Sequence, residues 1–216
     1  MRKNLTEIVF ILDRSGSMSG LERDTIGGFN SLIEKQKKEA GTAVISTVLF
    51  DDRREVLHDR VELEKIKPMT DKEYYVCGST ALLDALGEAI RHIGNVHKYA
   101  RKEDRPEKTM FIIMTDGYEN ASTNYTYGKI KKMVERQKEK YGWEFMFIGA
   151  NMDAISEAGK FGISADRAVE YICDGIGTGV CYGAINMAIA DVRACRQMSS
   201  DWKCDIEKDR KSRRGK

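Results

Sequence analysis

Nearly continuous apolar stretches recur along the chain, separated by segments in which apolar residues return every three or four positions. Five apolar stretches predict β-strands, at residues 7–13, 43–51, 109–116, 143–151 and, with a less apolar pattern, 167–172. Strands that are apolar on both faces belong inside a parallel sheet that helices cover on each side. The pattern therefore predicts a central, mostly parallel sheet.

The segments between these strands carry a helical period. It predicts helices at residues 20–38, 81–99, 126–140, 153–160 and 180–196. Ser19 and Glu22 have the spacing of a capping box at the start of the first helix. Residues 53–66 interrupt the alternation and predict one antiparallel edge strand that pairs with the second strand. The order indicates a doubly wound α/β fold with helices on both faces, and we expect one domain over residues 1–198.

Charge is unevenly distributed along the 216 residues, whose formal net charge is +2. From Asp201 to Lys216, seven Lys or Arg face four Asp or Glu. Such a polar segment without apolar periodicity predicts a basic, disordered tail over residues 199–216. The rest of the chain lacks the basic, aromatic surface of nucleic-acid binders, and no apolar run approaches the roughly 18 residues of a spanning helix. We therefore expect neither nucleic acid nor a membrane as partner.

The cysteines fit neither a disulfide framework nor a zinc site, because their number is odd and no C-x-x-C pair occurs. They are Cys77, Cys173, Cys181, Cys195 and Cys204. We interpret them as reduced thiols packed as small apolar groups. The basic, then apolar N-terminus is similar to a secretion signal, but its apolar run contains Glu7 and ends in Asp13. The sequence therefore predicts a first strand and a cytoplasmic protein.

Small oxygen-bearing side chains follow the first predicted strand. Asp13, Ser15 and Ser17 occupy alternate positions, and an extended backbone turns alternate side chains to the same side. Carboxylate and hydroxyl oxygens are ligands that Mg²⁺ prefers, so these residues could form half of a metal site. They could equally cap the following helix. Thr80 before the helix at 81–99 and Asp116 at a strand end lie at comparable junctions, where open α/β sheets bind ligands.

Three segments in this order resemble the von Willebrand factor type A (vWA) family: "ILDRSGSMSG", "GSTALLDAL" and "IIMTDGYEN". The resemblance covers about residues 5–196 and implies a Rossmann-like vWA domain, similar to stand-alone bacterial members that act within larger assemblies. It further implies a metal-ion-dependent adhesion site (MIDAS) for Mg²⁺ or Mn²⁺. The matching ligand positions are Asp13, Ser15, Ser17, Thr80 and Asp116. By this resemblance the chain is not an enzyme but binds a partner protein, whose Asp or Glu completes the coordination.

An enzymatic alternative uses the same first aspartate. In a haloacid-dehalogenase-type phosphatase, Asp13 would be the phosphoryl-accepting nucleophile. That chemistry needs a second aspartate two positions on as acid and base, and Ser15 stands there instead. The glycines in residues 174–188 miss the spacing of a dinucleotide loop, so we interpret them as a flexible lead into the final helix. The sequence leaves the partner and the oligomeric state open.

Overall fold

A six-stranded sheet forms the centre of the molecule in the computed structural model, which describes residues 1–214. The strands are β1 (Arg2–Asp13), β2 (Thr42–Phe50), β3 (Arg54–Glu62), β4 (Pro106–Thr115), β5 (Glu144–Ala150) and β6 (Ala168–Tyr171). Their spatial order is β3-β2-β1-β4-β5-β6, with β3 antiparallel to β2 and every other pair parallel. This confirms the predicted fold class, including its antiparallel edge strand.

Helices cover both faces of the sheet. They are α1 (Glu22–Gln36), α2 (Leu82–Tyr99), α3 (Tyr127–Tyr141), α4 (Ala154–Lys160), α5 (Gly175–Arg193) and α6 (Cys204–Arg214). Phe10 and Leu12 of β1 pack in the core shared with α1 and α5, whereas Val9 and Ile11 pack in the core shared with α2 and α3. Alternate residues of one strand thus serve two cores, which explains why the strand sequences are apolar without interruption. None of the helices within residues 1–214 has the length and apolar content needed to cross a bilayer.

The start of α1 differs from the predicted capping box. The helix begins at Glu22 with Leu21 as N-cap, and no side chain caps it. The Glu22 carboxylate accepts the N–H of Gly20 (2.8 Å), one residue beyond the predicted partner Ser19. Ser19 instead lies at the end of the short 3₁₀ turn Gly16–Met18, so the turn shifts the helix start.

The glycines near residue 175 lie inside α5 rather than before it. Asp174 is the N-cap and accepts the N–H of Gly177 (2.8 Å), so the helix starts five residues earlier than predicted. A Cβ added to Gly175 would lie 3.1 Å from the Asp24 carboxylate of α1, so this glycine lets the start of α5 lie close to α1. A second close contact between the two helices lies at Gly28 of α1, where an added Cβ would lie 2.1 Å from the ring of Tyr182. The prediction of a flexible lead was therefore wrong, because packing between helices overrides the low helix propensity of glycine.

The C-terminal segment is helical where the sequence predicts a disordered tail. A 3₁₀ turn (Ser200–Lys203) precedes α6, and Trp202 and Ile206 are buried. The Trp202 indole donates to the carbonyl of Asp166 (2.8 Å), while Arg210 pairs with Glu170. These partners lie in other parts of the chain, so local composition could not reveal them. Residues 215–216 of the predicted tail lie outside the described residues.

Candidate metal site

The loop between β1 and α1 is fixed by backbone hydrogen bonds on both sides. The Arg14 N–H donates to the Phe50 carbonyl at the end of β2 (2.8 Å), and the Arg14 carbonyl accepts the Cys77 N–H (2.9 Å). The Gly16 N–H donates to the carbonyl of Gly78 (3.1 Å). The loop is therefore held between β2 and the segment that leads into α2.

Hydroxyl and carboxylate oxygens from three loops form one continuous cluster. The Oγ atoms of Ser15 and Ser17 lie 3.1 Å apart, and Thr80 Oγ1 donates to Ser15 Oγ (3.1 Å). Ser17 Oγ donates to Asp116 Oδ1 (2.5 Å). The structure thus brings together side chains from the β1–α1 loop, the start of α2 and the end of β4.

Asp13 lies beside this cluster and is 1% exposed. Its Oδ1 accepts the N–H of Ser15 (2.7 Å), and its Oδ2 accepts the hydroxyl of Thr115 (2.5 Å). Burial raises the pKa of Asp13 to about 6, although the hydrogen bonds from Ser15 and Thr115 oppose the shift. Burial likewise raises the pKa of Asp116 against the hydrogen bond from Ser17. Both carboxyl groups are therefore placed where a nearby cation would favour their charged forms.

The oxygen cluster suits a small divalent cation. Three hydroxyls and two carboxyls are hard oxygen donors, the type that Mg²⁺ and Mn²⁺ prefer. A Cβ added to Gly117 would lie 3.4 Å from both Ser17 Oγ and Thr80 Oγ1, so the glycine leaves the space in front of these hydroxyls open. Within residues 1–214, no cluster of three or more His, Cys, Asp or Glu side chains has the geometry of a metal site. The hydroxyls thus distinguish this candidate from an all-carboxylate site.

Residues that the sequence reasoning missed hold the loops around the cluster. The Thr80 N–H donates to Asn120 Oδ1 (2.9 Å), and the Thr80 carbonyl accepts the Asn120 N–H (3.0 Å). The Glu119 carboxylate accepts the N–H of Leu83 at the start of α2 (2.8 Å). The loop after β4 is therefore tied to the start of α2. In the sequence, Glu119 and Asn120 could have been identified by their position shortly after "MTDG", in a loop rich in side chains that can cap helices.

Asp84, in the first turn of α2, fixes the same loop from the other side. Its carboxylate accepts the backbone N–H groups of Thr123, Asn124 and Tyr125 at 2.9 Å each. Burial raises the pKa of Asp84, but these backbone hydrogen bonds outweigh burial and lower it overall. In the sequence, Asp84 is only one more acidic residue in a predicted helix, and that pattern does not indicate its partners.

Two other acidic residues that follow strands have different partners. The Asp51 carboxylate accepts the Arg14 Nε–H (2.7 Å) and lies in a buried ion pair. Asp153 caps α4 by accepting the N–H of Ser156 (3.0 Å). Asn151 has a left-handed backbone, with φ of 55°, at the end of β5.

Arg14 was also missed, although it stands between two candidate ligands. Its Nη1 donates to Glu55 (2.6 Å), and its guanidinium lies over the ring of Tyr75, 4.7 Å from the centroid. Together with the bond to Asp51, these contacts turn the side chain toward β3. The side chains on either side of it then face the oxygen cluster.

Structures of known proteins share this architecture. A domain described as von Willebrand factor type A from Catenulispora acidiphila matches 85% of the chain at 15% identity, with a TM-score of 0.57. Proximal thread matrix protein 1 of the mussel byssus, solved with a zinc-occupied MIDAS motif, matches 86% at 16% identity and a TM-score of 0.57. The vWF domain of the pilus tip protein Mfa5 from Porphyromonas gingivalis matches 85% at 12% identity and a TM-score of 0.59.

These likenesses show that the chain has the vWA fold. The match spans 42% of the Catenulispora chain and 46% of the mussel chain, but 94% of the Mfa5 domain. No protein-family model and no curated protein sequence matches the chain. At identities of 12 to 16%, the likeness extends to the fold alone.

Proposed function

We propose that this vWA-fold chain is a metal-dependent protein-binding module. Its metal site holds Mg²⁺ or Mn²⁺, and the ligands are Asp13, Ser15, Ser17, Thr80 and Asp116. The observation that carries the proposal is the meeting of oxygen atoms from three separate loops, with Ser17 bonded to Asp116 and Thr80 bonded to Ser15. Capping of α1 does not account for the cluster, because no side chain caps that helix.

The mixture of hydroxyls and carboxylates decides what such a site does. Serine and threonine hydroxyls add ligands without adding negative charge, so a bound divalent ion keeps positive character that attracts a carboxylate from outside. A partner's Asp or Glu then gains a directional contact, whereas an exposed salt bridge contributes only about 0 to 1 kcal/mol. The buried network around Asp13 and Thr115 holds the loop in place for this contact. We propose that the partner is a protein that supplies this acidic side chain.

The zinc-occupied MIDAS motif of the mussel protein supports a divalent ion in this fold. In the present chain all five proposed ligands are oxygen donors, which favours Mg²⁺ or Mn²⁺ over zinc, since zinc sites more often use nitrogen and sulfur. We place the module in the cytoplasm. Support comes from its cysteines, all within the described residues, which are free thiols as is usual in a reducing compartment.

The phosphatase alternative has weaker support. Ser15 occupies the position of the second aspartate and cannot serve as acid and base at neutral pH. We therefore propose a binding module and not an enzyme.

Titration with Mn²⁺, followed by the electron paramagnetic resonance signal of the free ion, tests the metal site. Wild type is expected to bind one Mn²⁺, and Asp116→Asn to lose at least tenfold in affinity, because it removes one of two charged ligands. Asp153→Asn is the matched control, since Asp153 caps a helix at the same edge of the sheet. Equal Mn²⁺ affinity in all three proteins would contradict the site. Magnesium-dependent hydrolysis of a generic phosphomonoester that Asp13→Asn abolishes would favour the phosphatase.

A further inference from the structure

Exposed apolar side chains lie at the same sheet edge as the candidate metal site. Helices of a parallel α/β fold begin at the sheet edge where the strands end, so the first turn of α5 lies at the same edge as the metal site. Three large apolar side chains exposed at this edge form what we call the rim: Tyr75, Tyr118 and Ile176. Tyr75 lies against Arg14 of the β1–α1 loop, and Tyr118 follows Asp116 by two residues.

The rim is held open and is not folded onto the core. Tyr118 is 50% exposed, and its hydroxyl accepts the Asp153 N–H at 3.4 Å, so the ring extends from the end of β4 toward α4. Ile176 is 67% exposed although it is the second residue of α5. Exposed apolar side chains grouped around a binding position are typical of an interaction surface.

Fixed negative charge accompanies the apolar rim. Five carboxylates at this edge each accept a backbone N–H: Glu22, Asp84, Glu119, Asp153 and Asp174. Together with the exposed Asp24 and Asp52 they outnumber the basic side chains at the same edge, which are Arg23, Arg53, Arg54, Lys129 and Arg213, the last paired with Asp174. A partner segment rich in acids would bring like charges close to these carboxylates, which is unfavourable.

We propose that the metal site and the rim together select a protein segment in which one Asp or Glu stands between apolar side chains. The single carboxylate reaches the ion, the apolar neighbours cover Tyr118 and Ile176, and a run of acids is rejected. This inference rests on the proposed function and adds the class of partner that the site takes.

Selection from a random peptide display library tests the partner class. The library is bound to the full chain in Mg²⁺ and eluted with EDTA, and Asp116→Asn serves as the protein that lacks the site. The expected sequences contain one Asp or Glu with Leu, Ile, Met or an aromatic residue within two positions. Chelator-eluted sequences that are polyacidic, or that have no apolar preference, would overturn this inference and leave the metal-dependent module intact. If EDTA releases no sequences beyond those from Asp116→Asn, both proposals fail.

Surface variants test the rim itself. A selected peptide, labelled for fluorescence anisotropy, is expected to bind Tyr118→Ser and Ile176→Ser about tenfold more weakly than wild type, the usual loss when an anchoring side chain is truncated. Tyr118→Phe should retain the affinity. The matched controls are Tyr99→Ser and Tyr141→Ser, whose tyrosines are 78% and 51% exposed at the C-terminal ends of α2 and α3, at the opposite edge. These controls should bind like wild type.

Two results would contradict the role of the rim. One is unchanged peptide affinity in both Tyr118→Ser and Ile176→Ser while their Mn²⁺ affinity equals that of wild type. The other is a dimer in sedimentation experiments that needs Mg²⁺ and disappears in Tyr118→Ser, because the rim would then bind a second copy of this chain.

Discussion

Arg14→Met is expected to destabilise the protein by about 3 kcal/mol near pH 7. The Arg14 side chain is 5% exposed and that of Asp51 is 1% exposed, so the substitution leaves a buried carboxylate without its cation. Removing one partner of a buried ion pair costs about 3 to 5 kcal/mol. Asp51 also accepts the N–H of Arg53 (2.7 Å) and the thiol of Cys77 (3.2 Å), which places the expected loss at the lower end.

The way the loss of stability depends on pH shows whether the unpaired Asp51 carboxylate causes it. Burial raises the pKa of Asp51, but hydrogen bonds from Arg53, Cys77 and Arg14 outweigh it, so the pKa lies below its ordinary value. A depressed pKa stabilises the fold above the unfolded value of about 3.9, and this stability is lost as the pH falls through the folded value. In Arg14→Met the pKa of Asp51 rises instead. The difference between the two proteins should therefore be largest near neutrality and shrink toward about pH 4.

Urea unfolding followed by circular dichroism in EDTA measures the change without a contribution from bound metal. Asp51→Asn and the double variant complete a thermodynamic cycle, in which the double variant should lose less than the sum of the single losses. Arg23→Met, at an exposed position of α1, is the control and should stay within about 0.5 kcal/mol of wild type. A loss below about 1 kcal/mol for Arg14→Met, or a loss that does not change with pH, would refute the reasoning.

Three further outcomes follow from single contacts. Gly28→Ala should lower the free energy of unfolding by about 1 to 3 kcal/mol in thermal or urea unfolding, since its Cβ would lie 2.1 Å from the Tyr182 ring. The control Gly27→Ala should not destabilise the protein, because a Cβ there meets nothing within 4 Å. Similar losses for both variants would contradict the packing argument. Asp84→Ala should lower the free energy of unfolding by roughly 2 kcal/mol and speed amide exchange at residues 123–125, because the Asp84 carboxylate no longer accepts these backbone N–H groups. Unchanged exchange would show that Asp84 does not hold this loop. Without metal, the free energy of unfolding should fall by about 2 kcal/mol as the pH rises from about 4 to about 6, because the pKa of Asp13, raised to about 6, makes the folded protein hold this proton more tightly than the unfolded chain does. Asp13→Asn should flatten this profile, and a wild-type profile equally flat in EDTA would contradict the reasoning.

Much of the fold could be predicted because each β-strand carries two core faces in its own sequence. Phe10 and Val9 are neighbours in β1 but pack in different cores, on opposite faces of the sheet. Because both faces are buried, neighbouring positions of the strand are apolar alike, and the sequence shows an unbroken apolar run. The sequence could not predict α6, since Trp202 and Ile206 are isolated apolar residues among charges. Their burial depends on packing against β6 and α5, which the local pattern of residues does not show.

The candidate ligands could be named because each lies at a junction with a recognisable local pattern. Their supporting residues could not, because each acts through a partner far along the chain. Arg14 meets Asp51 37 residues away, and Asp84 meets Tyr125 41 residues away. The spacing of residues along a short stretch of sequence does not reveal such pairs, because the same helices and strands could be arranged in many topologies that keep the two residues apart.

Ser17 and Asp116 are 99 residues apart in the chain and touch only when β1 and β4 are already paired. The unfolded chain therefore has no comparable place for the proposed ion, so occupancy and folding are thermodynamically linked. Above its dissociation constant, each tenfold rise in free ion would add about 1.4 kcal/mol to the free energy of unfolding. The concentration of free ion would then set the stability of the fold as well as the ability to bind the partner protein.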